Sequence, residues 1–375
     1  MSSIEKIIID QEAPDVNIEE EPDVSSIGPT WPPRGTSQDR IKGFDIRQIV
    51  TDITQIADYK ALYAHAQAGS LGEYVHETFP KENRTTPEYS RFSFRFLART
   101  NLVPEIVTQM RDAVEVVIPL HGSGEFEEMS MVYIGFNDKT RQSSDEDLQV
   151  SQANVTRALE RTPKSYQAIV ENVVNQGYTL ETPSLDARKN DGDLRAQISS
   201  LYARFDWTPE SVAKMLENPT SILCIARQNG EIVSAGIAEL AEITIQTEEG
   251  PRLFRMVELT EAATLEGHQK KGLYTAVAAE ELRALANLPE DQRAHIVLGE
   301  CNGVSGGVIN AARDLGRTFA FQDVDLLGGN VKGYLPQHVP ITGTPTHTKH
   351  NDLFPAYISA ENVQNFAGVI PQAQE

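Results

Sequence analysis

The chain has 375 residues, 40% hydrophobic and 23% charged, which implies about two soluble globular domains at roughly 100–200 residues each. Its net charge of −21, from 54 acidic against 33 basic side chains, argues against a nucleic-acid partner, since phosphate-backbone binding rests on clustered Lys and Arg. A local basic turn for a small anion is still allowed.

The first 30 residues hold eight acids against Lys6 alone, a charge of −7 and a third of the total. They run into Gly28, Pro29, Pro32 and Pro33, so residues 1–40 read as a solvated acidic leader. No early basic segment suggests a signal or transit peptide, and no apolar run is long enough for a membrane span. Cys224 and Cys301 form neither a disulfide framework nor a zinc motif, which fits a reducing, cytoplasmic setting.

Ile41–Val50 reads as a strand and Ile53–Ala66 as a helix. Phe92, Phe94 and Phe96 alternate with polar neighbours, the mark of a half-buried strand. Val116–Leu120 and Met129–Phe136 read as strands around His121-Gly-Ser-Gly124, a turn rather than a phosphate loop because no helix follows it. Two helices come next, the second with Tyr166, Ile169, Val170 and Val173 in one apolar stripe. A second unit starts near Gly177, with Tyr178–Leu185 as a strand and Leu194–Phe205 as a helix. Thr208-Pro209-Glu210 then opens another helix with a hydroxyl cap and a first-turn proline. Ser221–Arg227 and Glu231–Leu240 flank Asn229-Gly230, a strong hairpin signal. Leu253–Leu265 is a long strand, followed by a helix over Thr275–Leu288, a strand over His295–Cys301 and a helix over Val304–Leu315. This order predicts an α/β (α+β) fold, a mixed sheet with helices on its faces. The expected division is 41–175, a smaller α/β domain; 176–335, the main domain; and 336–375, a partly irregular end without assigned elements.

Chemistry concentrates in the stretch Val257–Thr275. A strand ends near Leu265, a loop holds Gln269, Lys270, Lys271 and Gly272, and a helix opens at once. Helix N-termini offer unpaired backbone N–H groups and a positive dipole end, so this turn suits a small anion such as a diphosphate. The same pattern also occurs as a plain connection. His268 in this loop reads as solvent-exposed, and His347-x-x-His350 lacks a helix or third ligand, so no metal is expected.

Gln269-Lys-Lys-Gly272-Leu273-Tyr274 resembles the Arg/Gln-x-x-Gly-x-Gly/Ala coenzyme A signature of the GNAT N-acetyltransferase superfamily, with Tyr274 in place of the small last residue. Glu258-Leu-Thr-Glu261-Ala-Ala-Thr-Leu265 is similar to the corresponding strand of beta-lysine acetyltransferases. The resemblance implies a GNAT-like splayed sheet with the acyl-pantetheine arm of acetyl-CoA, or another acyl-CoA, in the gap. It implies backbone pairing of that arm at Thr264, Leu265 and Glu266, the diphosphate at Gln269–Tyr274, and Asn302 nearby. The domain before it would help close the acceptor pocket or be a degenerate acetyltransferase-like unit.

The resemblance also implies the reaction, transfer of an acetyl or small acyl group to a primary amine of a small amino-acid-like metabolite. An amine with a pKa near about 10.4 must lose a proton before it attacks, and a carboxylate takes that proton. Glu261 is the first candidate base and Glu258 the second, for base work or ammonium binding. Being three apart, they fall on opposite faces of a regular strand, and only a bulge brings both to one site. The family's usual proton donor to the thiolate, a tyrosine on the following helix, is replaced by Ala312, leaving Tyr274, Cys301 or water. The other readings are a non-catalytic CoA-binding module and a protein-lysine acetyltransferase; homodimer assembly is left open.

Overall fold

The computed structural model describes residues 46–49, 91–110, 113–137, 144–205, 207–247, 250–323, 332–340 and 350–368. The acidic leader, the predicted helix Ile53–Ala66 and His347 lie outside the described residues.

The first sheet is built from β1 (Ile46–Ile49), β2 (Arg91–Arg99), β3 (Val114–Pro119) and β4 (Met129–Asn137), with helix α1 (Val103–Met110) between β2 and β3. Its order is β1-β2-β4-β3, with β1 parallel to β2 and the other pairs antiparallel. Helices α2 (Asp145–Leu159) and α3 (Tyr166–Val174) follow, each capped by a serine. The Oγ atoms of Ser144 and Ser165 accept the N–H groups of Asp147 and Ala168 at 3.1 and 3.2 Å, satisfying donors that the helix itself leaves unpaired.

The second unit opens with β5 (Thr179–Glu181), shorter than the strand expected over Tyr178–Leu185. Pro183 cannot donate to a ladder, and Ser184 caps α4 (Leu185–Asn190) by accepting from Ala187 N–H at 3.2 Å, so the chain turns helical there. Helix α5 (Gly192–Ala203) and helix α6 (Pro209–Glu217) follow, the latter capped by Thr208 as the sequence predicts. Strands β6 (Ser221–Gln228) and β7 (Glu231–Thr247) meet at Asn229 and Gly230, which take φ values of 53° and 85°. Two consecutive left-handed residues make the turn whose twist matches a two-residue hairpin. Strand β8 (Gly250–Thr264), helix α7 (Leu273–Ala286), strand β9 (Ile296–Asn302) and helix α8 (Gly306–Asp314) complete the predicted run.

Beyond Gly328, where the sequence gives no assignment, lie β11 (Leu335–Pro340), β12 (His350–Ser359) and α9 (Ala360–Ala367), after a two-residue β10 (Thr318–Phe319). The second sheet runs β10-β12-β9-β8-β7-β6-β5, with β11 on β12. Every pair is antiparallel except β8 with β9. The expected mixed sheet flanked by helices is therefore present, with a further central strand, β12, from the unassigned end.

One face of this sheet buries Ala238, Val257 and Val297 against α7, α3 and α9. The other face carries two separate apolar layers. Helices α5 and α6 cover Leu223, Ile237 and Ala263, while the first sheet covers Met256, Ile296 and Leu298 with Val116, Ile118 and Met131. Phe126 joins the two sheets, its ring 4.9 Å from that of buried Phe254, while the Ser123 hydroxyl donates to the His295 carbonyl at 2.7 Å. No helix among the described residues is long and apolar enough to cross a membrane.

Candidate functional site

Strands β8 and β9 pair over only three positions, Met256 with Ile296, Val257 with Val297 and Glu258 with Leu298. Beyond them β8 stays paired to β7 as far as Thr264, opposite Ser234, while β9 stays paired to β12, its partner from Ile296 to Asn302. The two strands thus part at Glu258, leaving a slot between Leu259–Thr264 and Gly299–Asn302. This is the splay that the resemblance leads one to expect.

The expected bulge is also present. Along β7 the register passes from Ile237 opposite Thr260 to Ala235 opposite Ala263, so Glu261 and Ala262 together face Gly236. Glu261 takes φ = 52°, a left-handed value that costs a non-glycine residue about 1–2 kcal/mol. The fully buried Tyr202 hydroxyl of α5 donates to the Glu261 carbonyl and holds the bulge in place. Burial pushes the Tyr202 phenol well up, helped by the Glu261, Glu281 and Glu239 carboxylates, so it remains a donor at neutral pH.

Alternation along the strands puts Glu258 on the face of Met256, away from α7. Directly opposite on β7 is Glu239, which is only 4% exposed. Glu300, two residues beyond Leu298 on β9, shares that face. These carboxylates stand between the layer covered by α5 and the layer covered by the first sheet. Cross-strand Cβ atoms lie about 4.5–5.5 Å apart, so two acids there create a local field that favours a cation. The bulge takes Glu261 out of strict alternation with Glu258, which removes the objection that the two must face opposite ways.

At the end of β8 the chain makes a 3-10 turn over Glu266–His268 and enters α7. Lys270 and Gly272 take φ values of 63° and 85°. The first α7 bond runs from Ala276 N–H to the Gly272 carbonyl at 3.0 Å, so the N–H groups of Leu273, Tyr274 and Thr275 lie ahead of the helical ladder. The turn is clasped by Asn172 of α3 and by Gln176, two residues past the end of that helix. Gln176 Nε2 donates to the Lys271 carbonyl at 3.2 Å and Asn172 Nδ2 reaches the same oxygen at 3.5 Å. A Cβ on Gly272 would lie 2.9 Å from Asn172 Nδ2, so the left-handed φ favours glycine here and any side chain would push the Asn172 amide aside. Gln269 Nε2 donates to the Thr264 carbonyl at 3.3 Å, and Leu265 N–H donates to Val233 at 2.9 Å. With Lys270, Lys271 and forward-facing N–H groups, this donor set fits a diphosphate.

His268, expected in solvent, is half-buried, with Nδ1 3.0 Å from the Tyr178 hydroxyl. Lys271 Nζ sits 5.8 Å from the same tyrosine ring, a cation–π contact. The Asn302 side-chain oxygen accepts Val304 N–H at 3.2 Å and shapes the entry to α8, at the open end of the slot. Leu273 is buried under the sheet. Tyr274 turns inward, and burial, together with nearby Cys301, pushes its phenol up. Ala312 is fully buried in a layer with Val155 and Ala158 of α2, which fill the space beside it.

Sequence reading missed Glu239, Tyr202, Glu281 and Arg317. Glu281 alone left a trace, as an acid four residues beyond Val277 on a helix face that is otherwise apolar. Glu239, Tyr202 and Arg317 owe their places to strand register and helix packing, which no local pattern reveals.

No protein-family model matches the chain, and no curated protein sequence matches it. Solved structures do. The ribosomal-protein-S18-alanine N-acetyltransferase from Escherichia coli matches at 14% identity and a TM-score of 0.33, covering 49% of this chain and 94% of its own. Arabidopsis thaliana NAA60 in complex with acetyl-CoA matches at 11% identity and 0.34, covering 49% and 99%. An aminoglycoside acetyltransferase from an uncultured soil metagenomic sample matches at 12% identity and 0.22, covering 28% and 68%. These are distant likenesses that span about half of the chain or less.

Proposed function

We propose that the protein is an N-acyltransferase of the GNAT type, moving an acetyl or small acyl group from acyl-CoA to a primary amine. The observation that carries this reading is the slot: β8 leaves β9 after Glu258, and its far end runs straight into the Lys270–Gly272 turn and the α7 N-terminus. Acyl-CoA supplies an activated thioester. Thr264, Leu265 and Glu266 flank its pantetheine arm, Gln269, Lys270, Lys271, Gly272, Leu273 and Tyr274 form the diphosphate turn, and Asn302 stands at the mouth.

The acceptor approaches the opposite face, where Glu239, Glu258 and Glu300 gather. A protonated amine is drawn there by charge and must then lose a proton to become nucleophilic. Glu261 takes that proton and Glu258 holds the ammonium or shares the base role. The acidic face, and the finer resemblance of Glu258–Leu265 to beta-lysine acetyltransferases, favour a small amino-acid-like amine with a second charged group. A cytoplasmic setting fits Cys224 and Cys301, which form no disulfide framework.

A second reading, a CoA-binding module without turnover, draws on Ala312, which leaves the neighbouring helix without its proton donor. One experiment separates them: thermal unfolding with acetyl-CoA, followed by thiol release with a panel of diamines and basic amino acids. Stabilisation with thiol release supports transfer, and stabilisation without release across the panel supports the binding module. No stabilisation by any acyl-CoA refutes both.

A further inference from the structure

Under β7, opposite the bulge of β8 and on the α7 side, lies a buried polar group that neither the diphosphate turn nor the acceptor face uses. Glu281 is 2% exposed, and its Oε1 has no hydrogen-bond partner among the described residues. That oxygen lies 2.7 Å from where a Cβ on Gly236 would stand, so the carboxyl reaches the sheet only because residue 236 is a glycine. Gly236 is the residue that faces the Glu261–Ala262 bulge.

Arg317, 1% exposed, comes up under β9 in the same way, where a Cβ on Gly299 would overlap its guanidinium. It donates to the Ala356 carbonyl, while its Nε has no partner among the described residues. Tyr274 lies seven residues before Glu281, on the same side of α7. The groups that act on or answer to Glu281 are Arg317, Tyr274, Cys224 of β6 and Tyr202 of α5. No ion pair between Glu281 and Arg317 is formed. An isolated buried carboxyl resists ionisation, and burial accordingly holds Glu281 well above the ordinary carboxylate range despite Arg317.

We infer that Glu281 is the acid of the transfer, delivering its proton to the departing thiolate from the α7 side while the amine is deprotonated from the opposite face. This rests on the acyltransfer reading above. As the C–N bond forms and the C–S bond breaks, the amine proton passes to Glu261 or Glu258 and the sulfur takes the Glu281 proton. One proton then returns through solvent to Glu281, so amine and thioester give amide and thiol with no further reactant. The other candidates suit the task less well. Burial pushes the Tyr274 phenol and the Cys301 thiol upward from already weak acidity, whereas it moves a carboxyl toward neutrality, where a general acid is most effective.

Glu281→Gln keeps the shape and tests the proton. The variant should bind CoA in calorimetry as the wild type does, release thiol about 10²–10⁴-fold more slowly, and lose the fall of kcat at high pH. Glu281→Asp, which retains a carboxyl, should keep that high-pH limb at a reduced kcat. A Gln variant with kcat within about twofold of wild type, or with an unchanged high-pH limb, overturns the assignment while leaving acyl transfer standing. A wild-type protein that neither binds CoA nor releases thiol overturns the underlying reading instead. If the Gln variant does not fold, loss of the high-pH limb in a folded Asp variant also refutes the role.

Discussion

Gly272→Ala tests the anion turn. The residue sits at φ = 85°, a conformation that costs an alanine about 1–2 kcal/mol. The new Cβ also stands 2.9 Å from Asn172 Nδ2, closer than real Cβ contacts, so the clasp on the Lys271 carbonyl has to shift. Urea unfolding should therefore show a loss of about 1–3 kcal/mol, combining backbone strain with a weakened hydrogen bond. CoA affinity should fall beyond this, because displacement of Lys271 re-aims the N–H groups ahead of α7. Gly267→Ala is the control within the same loop. It has nothing within 4 Å of a new Cβ and no left-handed φ, so it should be neutral or stabilise by about 0.4–1 kcal/mol. Removing the Asn172 side chain in the Gly272→Ala background should restore the steric part and leave the strain part, a coupling that a double-mutant cycle measures. If both glycine variants lose equal stability, or if Gly272→Ala binds CoA as the wild type does, the account of this turn is wrong.

Tyr202→Phe removes the hydroxyl that donates to the Glu261 carbonyl at the bulge, so kcat should drop with the KM for acyl-CoA unchanged, at about 1–3 kcal/mol of stability measured by urea unfolding. Glu261→Gln should slow thiol release by about 10²–10⁴-fold with CoA affinity retained, while Glu258→Gln should act mainly on the KM for the amine; steady-state kinetics with both substrates varied reads each. In the protein without CoA, Glu281 has a folded pKa raised above its unfolded value. Its contribution is therefore intact below about pH 4.3 and is lost as pH rises toward the folded pKa, at up to about 1.4 kcal/mol per pH unit. Urea unfolding should show Glu281→Gln gaining on wild type between pH 5 and 8; a constant difference across that range would contradict it. Phe254→Ala, emptying a fully buried site stacked on His295 and met edge-on by Phe126, should cost about 3–5 kcal/mol in the same assay.

Much of the second sheet was legible because its signals are local. Asn229-Gly230 sets a hairpin by backbone preference, and Thr208-Pro209 sets a helix start by capping. The order of strand, loop and helix around Lys270–Gly272 follows from hydrophobic pattern alone. Strand β12 was not legible: His350–Ser359 is placed by seven pairs with β9, a strand about fifty residues earlier, and its proline and flanking turn residues disguise it. The bulge was inferred from the need to bring Glu258 and Glu261 together, but what holds it, a tyrosine from α5, is visible only in three dimensions. Glu239 illustrates the same limit, since a charge in the middle of a strand reads as solvent-facing until register sets it opposite Glu258 and packing leaves it 4% exposed.

The grip of α3 on the Lys271 carbonyl has a practical consequence. That helix precedes Gly177, where a sequence-based boundary would cut, yet it closes the back of the loop and buries Ile169 and Val173 under α7. A fragment that begins at Gly177 would lose this support together with the apolar cover that the first sheet lays over Met256 and Leu298. Helix α3 and the first sheet are thus part of the scaffold of the Lys270–Gly272 turn and of the sheet that leads into it, and cutting the chain near Gly177 would take away groups that hold both in place.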